Sequence, residues 1–207
     1  MSLPFPIFAS MSFSTLVGLL VLTFRVATSH QASAEQFQPI KEAEMPVGFP
    51  TFTPVGQIEI KEYPAYRKAS APGPGKFWTL FQHIKRNNVT MTAPVEMDYG
   101  DPLAPEQNER SMSFLYERAD QGSPGRHGSV DVLDIPAMTV VSIGCRGART
   151  ESAVAAAREK LSDWLDQKKV EFVVEGPMRV LGYNSPFVPR DNSFFEVQIP
   201  VKPADAN

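Results

Sequence analysis

The sequence predicts an α+β fold: a twisted β-barrel or curved antiparallel sheet, built from two β-α-β-β repeats with two helices outside it. Three observations carry this expectation. A helical stretch followed by two strand-like stretches occurs in the same order in both halves of the chain. The dipeptide Pro64-Ala65 inside the first strand-like stretch returns as Pro136-Ala137, and Ser113-Phe114 returns as Ser193-Phe194. The helix starts, near Lys76 and near Thr150, stand a similar interval apart, which is the mark of an internal duplication. One such unit cannot bury a sheet face by itself, so the two should join in one sheet with both helices packed on it. That packing commonly leaves a cleft between a helix and the curved sheet, a natural small-molecule site.

Taken in order, residues 1–34 read as a signal peptide. The apolar run over 13–24 (FSTLVGLLVLTF) is too short to span a bilayer, which needs about 20 apolar residues. Ala32-Ser33-Ala34 supplies a small-x-small cleavage pattern. The expectation is export, periplasmic or extracellular, after cleavage near Ala34. An uncleaved membrane anchor through 13–24 is the competing reading, an organellar transit peptide stands behind it, and either Met1 or Met11 is the start. Residues 35–54 carry Pro39, Pro46, Pro50 and Pro54 with no steady period, which predicts an extended tether. The folded domain is expected over 55–203, with a short tail over 204–207.

Within that domain, 58–70 has strand character interrupted by Pro64, which suits an edge or a bulge. The breaker Ala71-Pro72-Gly73-Pro74-Gly75 precedes a helix over 76–87, whose Phe77, Leu80, Phe81 and Ile84 share one face. Strands are expected over 90–99 and 111–118. In the second half 130–144 is strand-like, and a longer helix runs over 150–168 with Thr150 as N-cap. The segments 178–183 and 194–201 close the domain as strands.

Composition narrows the function. With 20 Lys+Arg against 23 Asp+Glu and no basic block, nucleic acid is not an expected partner. A single cysteine, Cys145, excludes an intramolecular disulfide framework and a cysteine-held zinc or iron-sulfur site. Histidines at 30, 83 and 127 make a multi-histidine metal site unexpected. No Ser-His-Asp order, catalytic carboxylate pair, phosphate loop or dinucleotide glycine pattern is present, so a non-catalytic binder is expected. The membrane enters only through an uncleaved leader, and protein partners are not legible.

The string Met91-Thr92-Ala93-Pro94-Val95, between a short helix and a strand, is the most distinctive in the chain. It resembles the hallmark of the SOUL family of haem-binding proteins. Ile58-Glu59-Ile60-Lys61-Glu62-Tyr63-Pro64 resembles that family's first strand. Gly182-Tyr183-Asn184-Ser185-Pro186-Phe187 and Phe195-Glu196-Val197-Gln198-Ile199-Pro200 resemble its closing loop and last strand. The resemblance implies a barrel of two β-α-β-β repeats and reversible binding of haem or another tetrapyrrole. Members with an axial histidine carry it beside the first-strand tyrosine, where this chain has Glu62, a poor ligand for haem iron. Haem would then be held by apolar contact and propionate pairing, with no dedicated metal site. A looser similarity extends to gyrase-inhibitor-like effector-binding domains, where an acid of the last strand meets cationic ligands. Glu196 matches that position, and an effector-binding module for cationic amphiphiles is the alternative function.

The candidate haem platform is Trp78, Phe81, Met91 and Met97, with Phe77 weighed mainly as core. Lys85, Arg86 and Arg190 are candidate propionate partners, since charge-assisted hydrogen bonds to carboxylates are the strong ones. Lys85 and Arg86 have a second explanation, because cations also complement a helix C-terminus. His83 is a candidate weak axial ligand, set against a solvated helix-edge histidine. His127 is expected in a flexible loop. Cys145 is read as a buried, inert thiol rather than a redox or haem ligand.

Overall fold

The computed structural model describes residues 1, 37–104 and 108–204. The leader expected over 1–34 lies outside the described residues except for Met1, and the tail except for Ala204. Strands β1 (Ile58–Tyr63) and β2 (Tyr66–Pro72) precede helix α1 (Lys76–Arg86), which is followed by β3 (Val95–Gly100) and β4 (Ser111–Leu115). The second half holds β5 (Gly125–His127), β6 (Val130–Ile135), β7 (Met138–Arg146) and helix α2 (Glu151–Gln167). It ends with β8 (Phe172–Val174), β9 (Met178–Gly182) and β10 (Phe194–Pro203). Both expected helices are present, and the Thr150 hydroxyl accepts from the Ala153 amide at 3.2 Å as an N-cap.

All ten strands form one antiparallel sheet in the order β1-β7-β10-β9-β3-β4-β2-β6-β5, with β8 on β10. The sheet is curved but open, with β1 and β5 at its ends, so the expected barrel does not close. The order also explains the duplicated prolines. Pro64-Ala65 and Pro136-Ala137 lie between strands and not inside one, with Pro64 directly after the edge strand β1. They separate β1 from β2 and β6 from β7, so that β1 pairs in the second half and β6 in the first. Thus β1 lies on β7 while β6 lies on β2, and β3 pairs with β9 at the centre. Strand β5 falls where a loop was expected and β8 in a stretch with no expected element, because stretches of three residues show no usable period.

The two helices pack on one face. Leu80 and Ile84 of α1 bury against Ala69, Ala71, Phe114 and Val132. Val154, Ala157, Leu161 and Leu165 of α2 bury against Val141, Val180, Val197 and Ile199. None of the described helices lies on the other face. Residues 37–54, expected as a free tether, run over that face instead: Phe37, Met45, Phe49 and Phe52 pack against Tyr63, Val140, Leu181, Tyr183 and Phe194. The prolines keep this segment out of regular structure, but its spaced apolar side chains bury it. The folded unit therefore begins well before residue 55.

Candidate functional site

Helix α1 begins straight after the Pro-Gly breaker, with Gly75 at φ 69° as its N-cap, a left-handed conformation that suits glycine. Its buried face holds Leu80, His83 and Ile84. Its outer flank is aromatic. Phe77 is 38% exposed and Trp78 64% exposed, large values for such side chains. The Phe77 and Phe81 rings lie 6.2 Å apart and nearly parallel, at 10°, with Trp78 edge-on to both. Lys85 Nζ sits 5.5 Å from the centre of the Phe81 ring. Beside this flank Phe81, Ile84, Lys85, Val89 and Met91 line a shallow cleft of about 330 Å³. The aromatic flank is anchored from below, since Phe77 meets the buried Phe114 ring edge-on at 5.3 Å.

The structure thus brings together Trp78, Phe81, Met91 and Lys85, and adds Phe77, which the apolar face of the helix had suggested was core. The other candidates lie elsewhere. Met97 is 2% exposed, in the core beneath α2, because it points to the helix-covered face from the middle of β3. Arg86 leans to the opposite side of α1, lining a separate cleft with Gln82, His83 and His127. Arg190 is exposed in a short 3₁₀ turn beside Arg146, which donates to the Asp191 carbonyl at 2.6 Å. That turn belongs to the second half, whereas α1 packs on β2, β4 and β6.

His83 is not a solvated edge residue. It is 6% exposed, its Nε2 lies 2.9 Å from the Tyr116 hydroxyl, and its ring centre lies 5.6 Å from that of His127. It faces away from the Trp78 flank, so a macrocycle on that flank receives no imidazole. Burial, with the His127 ring beside it, lowers its pKa below the 6.5 of a free imidazole. The folded state therefore resists a proton that the unfolded chain accepts, and stability present above pH 6.5 is lost as pH falls from there through the lowered value. Thermal midpoints measured across that range should drop with pH, and His83→Gln should flatten the drop. His127 is on β5, not in a loop. Cys145 is half-buried against the α2 core, and burial pushes its thiol up to about 11, so it stays protonated at neutral pH. Thr92 is buried and donates to the Leu115 carbonyl at 2.7 Å, while Ala93 N donates to Glu44 O of the crossing segment at 2.9 Å. The hallmark string therefore shapes the turn into β3 and ties it to residues 37–54.

The helix-free face carries a second, polar constellation with little local signal in the sequence. Glu196 is fully buried and accepts from Lys61 Nζ at 2.9 and 3.2 Å, from Gln198 Nε2 at 2.6 Å and from the backbone N–H of Thr53. The acid assigned to cationic ligands is therefore already committed to Lys61 and the crossing segment. Glu96, also buried, accepts from Lys68, from the Tyr66 hydroxyl at 2.7 Å and from Arg179 Nη1 at 3.2 Å. Burial alone would raise the Glu96 pKa, but the charges of Lys68 and Arg179 outweigh it and hold the carboxyl below its ordinary value. Burial depresses the Lys61 ammonium, and the charge of Glu196 offsets only part of this. Strand alternation places all these groups on one face, but their pairing joins strands far apart in sequence.

Among the described residues no group of three or more His, Cys, Asp or Glu is placed to hold a metal ion. No described helix is long and apolar enough to cross a membrane. For a flat macrocycle with carboxylate arms, the α1 flank offers aromatic surface and one cation, and no imidazole among the described residues.

Solved structures share the architecture. The EcmrR C-terminal domain is 19% identical, with a TM-score of 0.55 over 72% of this chain and 98% of that one. EcmrR in a DNA complex gives 17% identity and a TM-score of 0.55, covering 72% of this chain and 58% of the other. A hydrolase encoded by lin2189 from Listeria innocua is 11% identical, with a TM-score of 0.51 over 73% of this chain and 94% of that one. At these identities the likeness is one of fold. No curated protein matches the chain in sequence. The profile of the SOUL heme-binding protein family, however, matches residues 49–200, nearly the whole folded unit. The chain belongs to the SOUL heme-binding protein family.

Proposed function

We propose that the protein binds haem or a related tetrapyrrole reversibly and without chemistry on it, to sequester, buffer or deliver it. The observation that supports this reading is the aromatic flank of α1, where Phe77 and Trp78 are exposed beside Phe81, Met91 and Lys85. The macrocycle lies against Trp78, Phe77 and Phe81, and Lys85 pairs with a propionate. Family membership points to the same ligand. The leader read in the sequence makes an exported site of action part of the proposal. A cationic effector on Glu196 lacks comparable support, because Lys61 already pairs with that carboxylate.

Hemin titrated into the protein should shift the Soret band with saturable stoichiometry, and no shift at micromolar hemin would falsify the reading. Withdrawing one large aromatic side chain from a buried contact loses about 1.5–3 kcal/mol, or roughly ten- to a hundred-fold in affinity. Trp78→Ala is expected to weaken hemin binding by that factor, read from the same titration. His83→Ala should leave the iron spectrum unchanged, as its ring faces Tyr116.

A further inference from the structure

On the helix-free face, Phe49 is set between two tyrosines. Its ring is edge-on to Tyr63 at 4.9 Å and to Tyr66 at 5.2 Å. The Arg179 guanidinium rides on the same two rings, 4.5 Å from the centre of Tyr63 and 5.9 Å from that of Tyr66. Arg179 Nε donates to Gln198 and Nη1 to Tyr66 and Glu96, but Nη2 has no partner. It is the one buried side-chain polar atom among the described residues left without a hydrogen bond. A buried donor left unpaired is costly, and more so when charged. The buried charges on this face balance, Lys61 and Arg179 against Glu96 and Glu196, with the partly exposed Lys68 at the edge, so what is missing is an acceptor for Nη2. The crossing segment does not correct this. Its Glu42 is spent on Ser185 and its Glu44 on Lys41, both at the surface.

The segment is also loosely held. Residues 37–54 form no strand, and their prolines remove four amide donors. Besides the Thr53 contacts to Glu196 and Ser142, Val47 N donates to Glu117 O, Ala93 N to Glu44 O and Asn184 to Ile40 O, while the rest of the hold comes from rings and surface contacts. Few backbone hydrogen bonds and exposed flanks are the features of a part that opens locally at low cost.

We propose that the helix-free face is a second ligand site, separate from α1, which takes a small flat aromatic acid in place of Phe49. The ring of the acid lies between Tyr63 and Tyr66, its carboxylate accepts from Arg179 Nη2, and residues 37–54 are the built-in competitor that it displaces. The unpaired guanidinium donor selects an anionic acceptor, and the tyrosine pair selects a planar body.

Naphthoate and its cationic counterpart naphthylmethylammonium are the probes, titrated into the full chain without haem. Because the occupied fraction of the site sets the apparent affinity, Phe49→Ala should bind naphthoate about ten-fold or more tighter than the wild type. The amine should bind neither protein, and saturating naphthoate should raise amide exchange over residues 37–54 of the wild type. Equal naphthoate affinity in wild type and Phe49→Ala, or an amine that binds as tightly as the acid, overturns the proposal. Trp78→Ala must leave naphthoate binding intact, since a loss there would move the acid to the α1 flank. Adding Arg179→Gln to Phe49→Ala should abolish the gain. Should that double variant not fold, the acid-to-amine comparison and the exchange measurement decide alone.

Discussion

Glu196→Ala is expected to destabilise the protein by roughly 3–5 kcal/mol, the cost of leaving a buried charge without its partner. The Lys61 side chain is 4% exposed and that of Glu196 is 0% exposed, so water reaches neither. Truncation at 196 leaves the ammonium beside the Tyr63 ring without either of its hydrogen bonds to Glu196. It also removes the acceptor of the Thr53 amide, loosening residues 37–54 at their inner end. Urea unfolding measures the loss. The double variant Lys61→Met/Glu196→Leu should recover most of it, because an apolar pair of similar volume replaces a buried ion pair at little cost. A single-variant loss below about 0.5 kcal/mol, the range of ordinary surface changes, would show that the pair is solvated.

Phe114→Ala is expected to cost about 3–5 kcal/mol, as for other fully buried aromatic rings. Phe114 is 2% exposed at the base of α1, pairs across the sheet with Ala69 and Val95, and carries the Phe77 ring on its edge. Removing it opens a cavity under the helix and frees Phe77 to fold inward. The consequence for binding follows from geometry: a platform that has lost its backing no longer holds its rings in place. Hemin affinity should therefore fall along with stability, whereas Glu196→Ala should leave hemin affinity near the wild-type value while the protein stays folded. The two variants together separate the α1 flank from the opposite face.

Much of the fold was legible because it is written locally. The period of α1 and α2, the Thr150 cap and the duplicated dipeptides are all readable within a few turns of chain. The same prolines that betrayed the duplication were misleading about its geometry. A proline in a strand suggests an edge or bulge, and only the pairing of β1 with β7 shows that the chain crosses there to the other half. The prolines of 37–54 predict a free tether, whereas Phe37, Phe49 and Phe52 decide where it lies. Of the site residues, Trp78, Phe81, Met91 and Lys85 follow from one helix and the turn after it. Met97 was misplaced because strand parity requires a register, and Arg86 because neighbours on a helix point a hundred degrees apart. Nothing in the string Phe195-Glu196-Val197 announces that its acid is answered by a lysine of the first strand.

The exchange of β1 and β6 between the halves has a consequence for how the chain is made. During synthesis β1 emerges long before β7, the strand that covers its edge, and β2 long before β6. The amino-terminal half therefore leaves the ribosome with both of its borrowed places empty and cannot complete its sheet until the carboxy-terminal half arrives. Pairings so distant along the chain make for slow folding, and unpaired strand edges in the interval invite association with other nascent chains. Cutting the chain between β4 and β5 should for the same reason yield two pieces that are each insoluble alone yet reassemble when refolded together.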